Sequence, residues 1–310
     1  MARAVCDEAE EYLTWLAVEQ GRSRNTLLAY RRDLSSYEGY LAERGLEPAA
    51  ASEADVEAYL AARLAEGISP ASVSRALACI RGMHRFLVEE GMAAGDPTAD
   101  VSSPRVPYRL PKALNEAEVL ALLATAKGAT PIERRDLAIL ELLYGTGIRV
   151  SELTGLSLTD LRPGSGLLRV TGKGSRERLV PLVGAAAEAL GRWLGPGGRP
   201  ELVPRRWARR QDSEAVFLNA RGGRIGRQGV WLVISRHAEA AGLERKVHPH
   251  VLRHSCATHM LEHGADIRVV QELLGHVSIA TTQVYTLVSP EHLRKAYEAA
   301  HPRAGRARAL

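Results

Sequence analysis

Apolar positions recur at three- and four-residue spacing over four segments of the first 95 residues: about 5–20, 23–44, 53–66 and 70–91. That period lays one apolar stripe along each segment and predicts four amphipathic helices. The residues at their starts agree. Ser52 precedes the third segment with Asp55 three residues on, a variant of the capping box. Ser69 followed by Pro70 is a cap with proline at the first helical position. The fourth segment, PASVSRALACIRGMHRFLVEEG, combines a stripe of Val73, Leu77, Ile80, Phe86 and Leu87 with Arg75, Arg81, His84 and Arg85, and Gly91 stops it. Residues 1–95 thus predict a small helical domain.

The pattern then breaks. The run DPTADVSSPRVPYRLPK holds four prolines and no period, which predicts a linker over residues 96–111 and a second domain over 112–310. A helix is predicted to begin at Leu114-Asn115-Glu116, and a strongly apolar one spans 134–144 up to Gly145-Thr146-Gly147. LLRVTGKGSRERLVPL, residues 167–182, reads as two short strands around a turn rich in Gly and Ser. Residues 196–213, rich in Gly, Pro and Arg, read as a flexible connection. Helices are predicted again at about 227–241, 250–263, 266–274, 280–287 and 290–300. The second domain is therefore expected to be mostly helical with a small antiparallel sheet.

Composition narrows the class. No apolar run approaches the roughly 18 residues of a membrane span, and the opening MARAVCDEAEEYL carries acids where a signal peptide is apolar. The expectation is a cytoplasmic protein with no membrane insertion. Cys6, Cys79 and Cys256 lie far apart without a CxxC spacing, so they predict neither a zinc ribbon nor a redox pair, only small and mostly buried side chains. Charge is unevenly spread: residues 1–107 carry 11 Lys+Arg against 17 Asp+Glu, and the remainder carries 30 against 19. A basic second domain fits a polyanionic partner as well as it fits a solvated surface.

Four stretches could carry chemistry. In GTGIRVSELTGL, Arg149 follows a helix-ending glycine, and Glu152 lies three residues on, on the same face. In VTGKGSRERL, Lys173 stands between two glycines at a hairpin tip, mobile enough to reach a ligand; the spacing is not that of a phosphate-binding Walker loop. VHPHVLRHSCATHMLEHG holds five histidines. His259 to His263 matches the HxxEH pattern of inverted zinc peptidases, but that reading leaves Arg149, Lys173 and Tyr285 without a role and sets Arg253 beside a cation. His250 and Arg253, three apart, instead suit proton handling beside a phosphate. In VVQELLGHVSIATTQVYTLVSPEH, Gly275 ends a helix, His276 follows, and Tyr285 lies on the next predicted helix. Each residue alone has an ordinary reading as a surface pair, a turn lysine or a packing tyrosine. In the order Arg149, Lys173, His250, Arg253, His276, Tyr285 they supply two guanidiniums, an acid, two imidazoles and a phenol, the parts of metal-free phosphoryl transfer.

GTGIRVSEL, TGKG, HPHVLRHSCATHML and VVQELLGHVSIATTQVYT, with the acidic helical start, resemble the tyrosine recombinases of the phage integrase family, Xer type, over nearly all 310 residues. The ending His301 to Ala304 is closer to the XerD subgroup than to XerC. Leu287, where many Xer proteins carry His, and Cys256, where Phe is common, depart from the pattern, and GRARAL extends past the usual end. The resemblance implies an N-terminal SAM-like core-binding domain and an α+β catalytic domain. It implies that Arg149 and Arg253 clamp the scissile phosphate, that Lys173 protonates the leaving oxygen, that His250 and His276 assist, that Tyr285 is the nucleophile, and that Glu152 supports the site. It implies double-stranded DNA as substrate, with Arg75, Arg81 and Arg85 facing a groove, and no cofactor or metal. It also implies a XerC-type partner in a heterotetramer, a septal DNA translocase as a further partner, chromosome-dimer resolution at cell division, and a terminal helix over 290–300 exchanged between protomers. The alternatives are a type IB topoisomerase, a different phage or transposon integrase, or a DNA-binding protein without activity.

Overall fold

The structure is a computed structural model that describes residues 5–104, 113–162, 164–172, 176–243, 247–275 and 290–305. It separates into two compact units, residues 1–110 and 111–310, each with its own apolar core.

The N-terminal unit contains α1 (Asp7–Val18), α2 (Arg24–Ala42), α3 (Glu53–Ala65) and α4 (Pro70–Glu89). The starts follow local chemistry: Ser23 and Ser69 each accept a first-turn amide, and Ser52 forms the reciprocal capping box with Asp55. α4 is the centre, packed against the other three. Its Val73, Leu77, Ile80, Met83 and Leu87 are buried, each worth about 1.5–3 kcal/mol by removal from water. Residues 96–104 pack on these helices, with Val101 in the core and Thr98 buried. Cys79 lies fully inside. Buried His84 meets the Tyr37 hydroxyl at 3.1 Å, and burial pushes its pKa down to about 4.

The C-terminal unit is built around α6 (Pro131–Thr146), whose residues from Ala138 to Thr146 are all buried. Around it lie α5 (Glu116–Ala124), α7 (Val150–Gly155), α8 (Gly184–Leu194), α9 (Arg227–Ala240), α10 (Pro249–Glu262), α11 (Ile267–Leu274) and α12 (Pro290–Ala300). β1 (Leu161–Arg162), β2 (Leu167–Thr171) and β3 (Glu177–Pro181) form an antiparallel sheet in the order β1-β2-β3, with Leu168 opposite Val180 and Val170 opposite Arg178. Among the described residues no helix is long and apolar enough to cross a membrane.

Two features differ from the sequence expectation. β1 and α8 are additional elements. Residues 196–213 are tied down: they hold 3-10 turns at Arg199–Leu202 and from Arg210, and Arg199 donates to the carbonyls of Ser213 and Ala215. The expected terminal helix is α12, which in the single chain packs in its own unit. Leu293, Tyr297 and Ala300 are buried, the Tyr297 hydroxyl donates to the Gly145 carbonyl at 2.6 Å, and Arg303 pairs with buried Glu141. His301 stacks on Tyr297 at 4.7 Å, and burial pushes its pKa down to about 3. The expected helix over 280–287 lies outside the described residues.

Candidate active site at the end of α11

The site grows from two chain reversals. α6 ends on Gly147 and α11 ends on Gly275, both left-handed, with φ of 61° and 63°. Such a cap costs a glycine little and any other residue about 1 kcal/mol or more. A Cβ on Gly147 would come within 2.8 Å of Leu274, so the two reversals pack directly on one another.

Arg149, two residues past Gly147, begins α7. Glu152 sits one turn further on, and its side chain is 1% exposed. A carboxylate that deep must be paired, and it accepts four hydrogen bonds. The Arg149 amide (2.7 Å) and Arg178 Nη2 (3.0 Å) reach Oε2, while Arg149 Nη1 (2.9 Å) and Arg178 Nη1 (2.7 Å) reach Oε1. Burial by itself would raise the Glu152 pKa. The bonds from Arg178 and Arg149 outweigh it and hold the carboxyl below the ordinary range.

The arginines share a second anchor. Three consecutive carbonyls close α11, and each accepts from a different arginine: Leu273 from Arg178 Nε at 3.1 Å, Leu274 from Arg253 Nη2, and Gly275 from Arg149 Nη2 at 3.0 Å. Carbonyls at a helix end lack intrahelical donors, so cations are favoured there. Arg253 also donates to the Gly147 carbonyl, which joins the two reversals. Burial, then the charges of Arg149 and Arg178, lower the Arg253 pKa to about 10, which leaves it charged at neutral pH. The cluster thus holds three guanidiniums against one carboxylate, a surplus of positive charge suited to an anion. Arg149 is its more open member, its side chain 35% exposed, whereas Arg253 is buried.

His250 lies on α10 one turn before Arg253. It is exposed, and its ring is 6.0 Å from that of His248. Lys173, His276 and Tyr285 lie outside the described residues. The described neighbours of Lys173 and His276 border the cluster. A Cβ on Gly172 would lie 3.4 Å from Glu152 Oε1, and Gly275, immediately before His276, carries the carbonyl bonded by Arg149. Arg178 was not foreseen. The available signal is its alternation with buried Val180 on β3, which turns an arginine toward the core, where it needs a counter-charge.

The other candidates have internal partners. His259 spends both ring nitrogens, Nδ1 on the Tyr144 hydroxyl at 2.9 Å and Nε2 on the Leu114 carbonyl at 2.8 Å, so it packs α10 rather than aiming at a metal. In the N-terminal unit Arg75 grips Asp33 through two bonds, and Arg81 donates to the carbonyls of Thr98 and Val101. Arg85, its side chain 64% exposed, lies 3.7 Å from Asp96.

Residues 112–292 match the phage integrase family, and residues 9–91 match the phage integrase N-terminal SAM-like domain. The chain is 46% identical to the tyrosine recombinase XerD of Mycobacterium tuberculosis, over 96% of this chain and 98% of that one. It is 45% identical to the XerD of Corynebacterium glutamicum, again over 96% and 98%. The fold is shared with the XerH site-specific recombinase bound to a palindromic difH substrate in a post-cleavage complex: TM-score 0.67, 21% identity, 94% of this chain and 84% of that one. With a SAM-like N-terminal unit, a helical catalytic unit bearing a small antiparallel sheet, and this degree of identity over nearly its whole length, the chain belongs to the phage integrase family, as a site-specific tyrosine recombinase.

Proposed function

We propose that this enzyme resolves chromosome dimers at cell division, by cutting and rejoining two DNA duplexes at a specific site together with a XerC-type partner in a heterotetramer. Arg149 and Arg253 hold the nonbridging oxygens of the scissile phosphate. The Tyr285 phenol attacks phosphorus, its proton passing toward His250. A 3′-phosphotyrosyl ester forms as the bond to the 5′-oxygen breaks, and Lys173 protonates that oxygen. His276 assists at the phosphate and Glu152 steadies Arg149. The 5′-hydroxyl of the other duplex then reverses the step, so the ester conserves the bond energy and ligation needs no ATP. The arginines supply the positive charge that a metal supplies elsewhere. In the N-terminal unit the exposed Arg85 is the freest of the three arginines to meet a phosphate. During assembly α12 exchanges its own-unit contacts for those of a neighbouring protomer.

The observation that supports this reading is the convergence of Arg149 and Arg253 on the end of α11, next in sequence to His276 and nine residues further to Tyr285. The test is capture of a covalent complex on a nicked recombination site. Tyr285→Phe should abolish the adduct and leave DNA affinity nearly unchanged, since affinity rests on many phosphate contacts. An adduct formed by that variant would remove Tyr285 as the nucleophile.

A further inference from the structure

Arg178 stands in the cluster with no part in the chemistry assigned so far. Its donors point inward: Nε to the Leu273 carbonyl, Nη1 and Nη2 to the two oxygens of Glu152. With those bonds made and a side chain 17% exposed, its fork is occupied before any phosphate arrives. Its stem is held as well. A Cβ at Gly275 would lie 3.2 Å from Arg178 Cδ and Nε, so the left-handed cap of α11 rests against it. β3 places it opposite buried Val170.

We infer that Arg178 is a positioning residue for strand cleavage, fixing the directions in which Arg149 and Arg253 present their guanidiniums. The inference rests on the proposed function above. The route is short. Arg178 holds Glu152, which orients Arg149; it holds the Leu273 carbonyl, next to the one that Arg253 grips. It also sits two residues past Arg176, whose carbonyl accepts the Gly172 amide at 2.7 Å. One side chain therefore ties the β2–β3 hairpin, α7 and α11 together. A lysine cannot replace it, because an ammonium cannot match the planar two-oxygen fork and the Leu273 carbonyl at once. Misplacing a reacting group by about 1 Å costs on the order of a hundredfold in rate.

The experiment compares the wild-type protein with Arg178→Lys and Arg178→Gln. Three quantities are read: single-turnover cleavage of a nicked recombination site, DNA affinity with its salt dependence, and thermal unfolding. Both variants should lose on the order of a hundredfold in cleavage rate, and lysine should not restore it. Affinity should stay within about threefold and the salt slope should not change, because no phosphate contact is removed. The rate loss should persist well below each variant's Tm. Restoration by lysine to within about fivefold would overturn the inference, since charge alone would then suffice. A salt slope reduced by about one would also overturn it, since Arg178 would then touch phosphate. So would a rate that recovers on cooling in step with folding. A wild-type protein unable to form the adduct would overturn the proposed function and this inference together, whereas an active wild type with active variants overturns only the role of Arg178.

Discussion

Replacing Glu152 with glutamine keeps the shape of the side chain and removes the carboxylate that faces Arg149, Arg178 and Arg253. The native side chain is 1% exposed and accepts four hydrogen bonds. In the variant one oxygen becomes an NH2 donor that points at N–H donors. Breaking a buried pair from one side typically costs about 3–5 kcal/mol, because the remaining charge is uncompensated. Here Arg149 and Arg178 retain some access to water, with side chains 35% and 17% exposed, so the cost is about 1 kcal/mol smaller, about 2–4 kcal/mol. For a unit of about 200 residues each kcal/mol moves Tm by about 2–4 °C, which gives a drop of about 4–16 °C. Thermal and urea unfolding followed by tryptophan fluorescence read the Tm and the free energy, since Trp193, Trp207 and Trp231 all lie in this unit. Sulfate should narrow the gap, because an anion would supply the missing charge. A loss below about 1 kcal/mol, the size of an exposed pair, would refute the view that Glu152 neutralises the cluster.

Two further outcomes follow from the geometry. His301, with a folded pKa depressed to about 3 by burial, stays neutral in the folded state while the unfolded chain takes up a proton below about pH 6.5. Stability should therefore fall as pH drops from about 6.5, and His301→Phe should flatten that slope in urea titrations; an unchanged slope would exclude His301 as its source. Gly147→Ala should cost about 2–5 kcal/mol in the same assay, about 1–2 from the left-handed backbone and the rest from overpacking against Leu274; a loss under about 1 kcal/mol would mean that the α6 and α11 reversals are not rigidly packed.

The helices were legible wherever the chain carries both a stripe and a cap. α4 shows its stripe from Val73 to Leu87 and its Ser69-Pro70 start, and α5 shows the Asn115–Glu118 box. α8 was not: its stripe of Ala185, Ala186, Ala189, Leu190 and Trp193 is muted by three alanines, and its start at Val183 has no side-chain cap. β1, two residues long, is too short to display a period. At the site, Arg149, Glu152 and Arg253 stood out by local spacing. Arg178 did not, since its meaning depends on Glu152, 26 residues away, and on Leu273, 95 residues away. The terminal helix was legible in sequence, whereas its contacts within the unit were not: what Tyr297 packs against is a matter of tertiary burial, invisible in its neighbours. Residues 196–213 looked flexible because anchoring by Arg199 to the Ser213 and Ala215 carbonyls leaves no mark in composition.

The distribution of thiols has a practical consequence. Cys79 and Cys256 are each fully buried, one in each unit, and burial raises both thiol pKa values, that of Cys256 to about 12. A closed thiol of that kind cannot be alkylated; it reacts only during the moments when its surroundings open. With the half-buried Cys6 replaced by serine, the chain carries one native clock per unit. The ratio of each thiol's labelling rate to that of an unfolded cysteine gives the free energy of opening where it sits. Cys256 lies against Gly147, so its clock reads the breathing of the arginine cluster itself. Cys79 reports the N-terminal helices in the same tube, at the same instant, as an internal standard. Mass spectrometry of labelling series with and without DNA would then show, without any added dye, whether binding DNA tightens one unit, the other, or both.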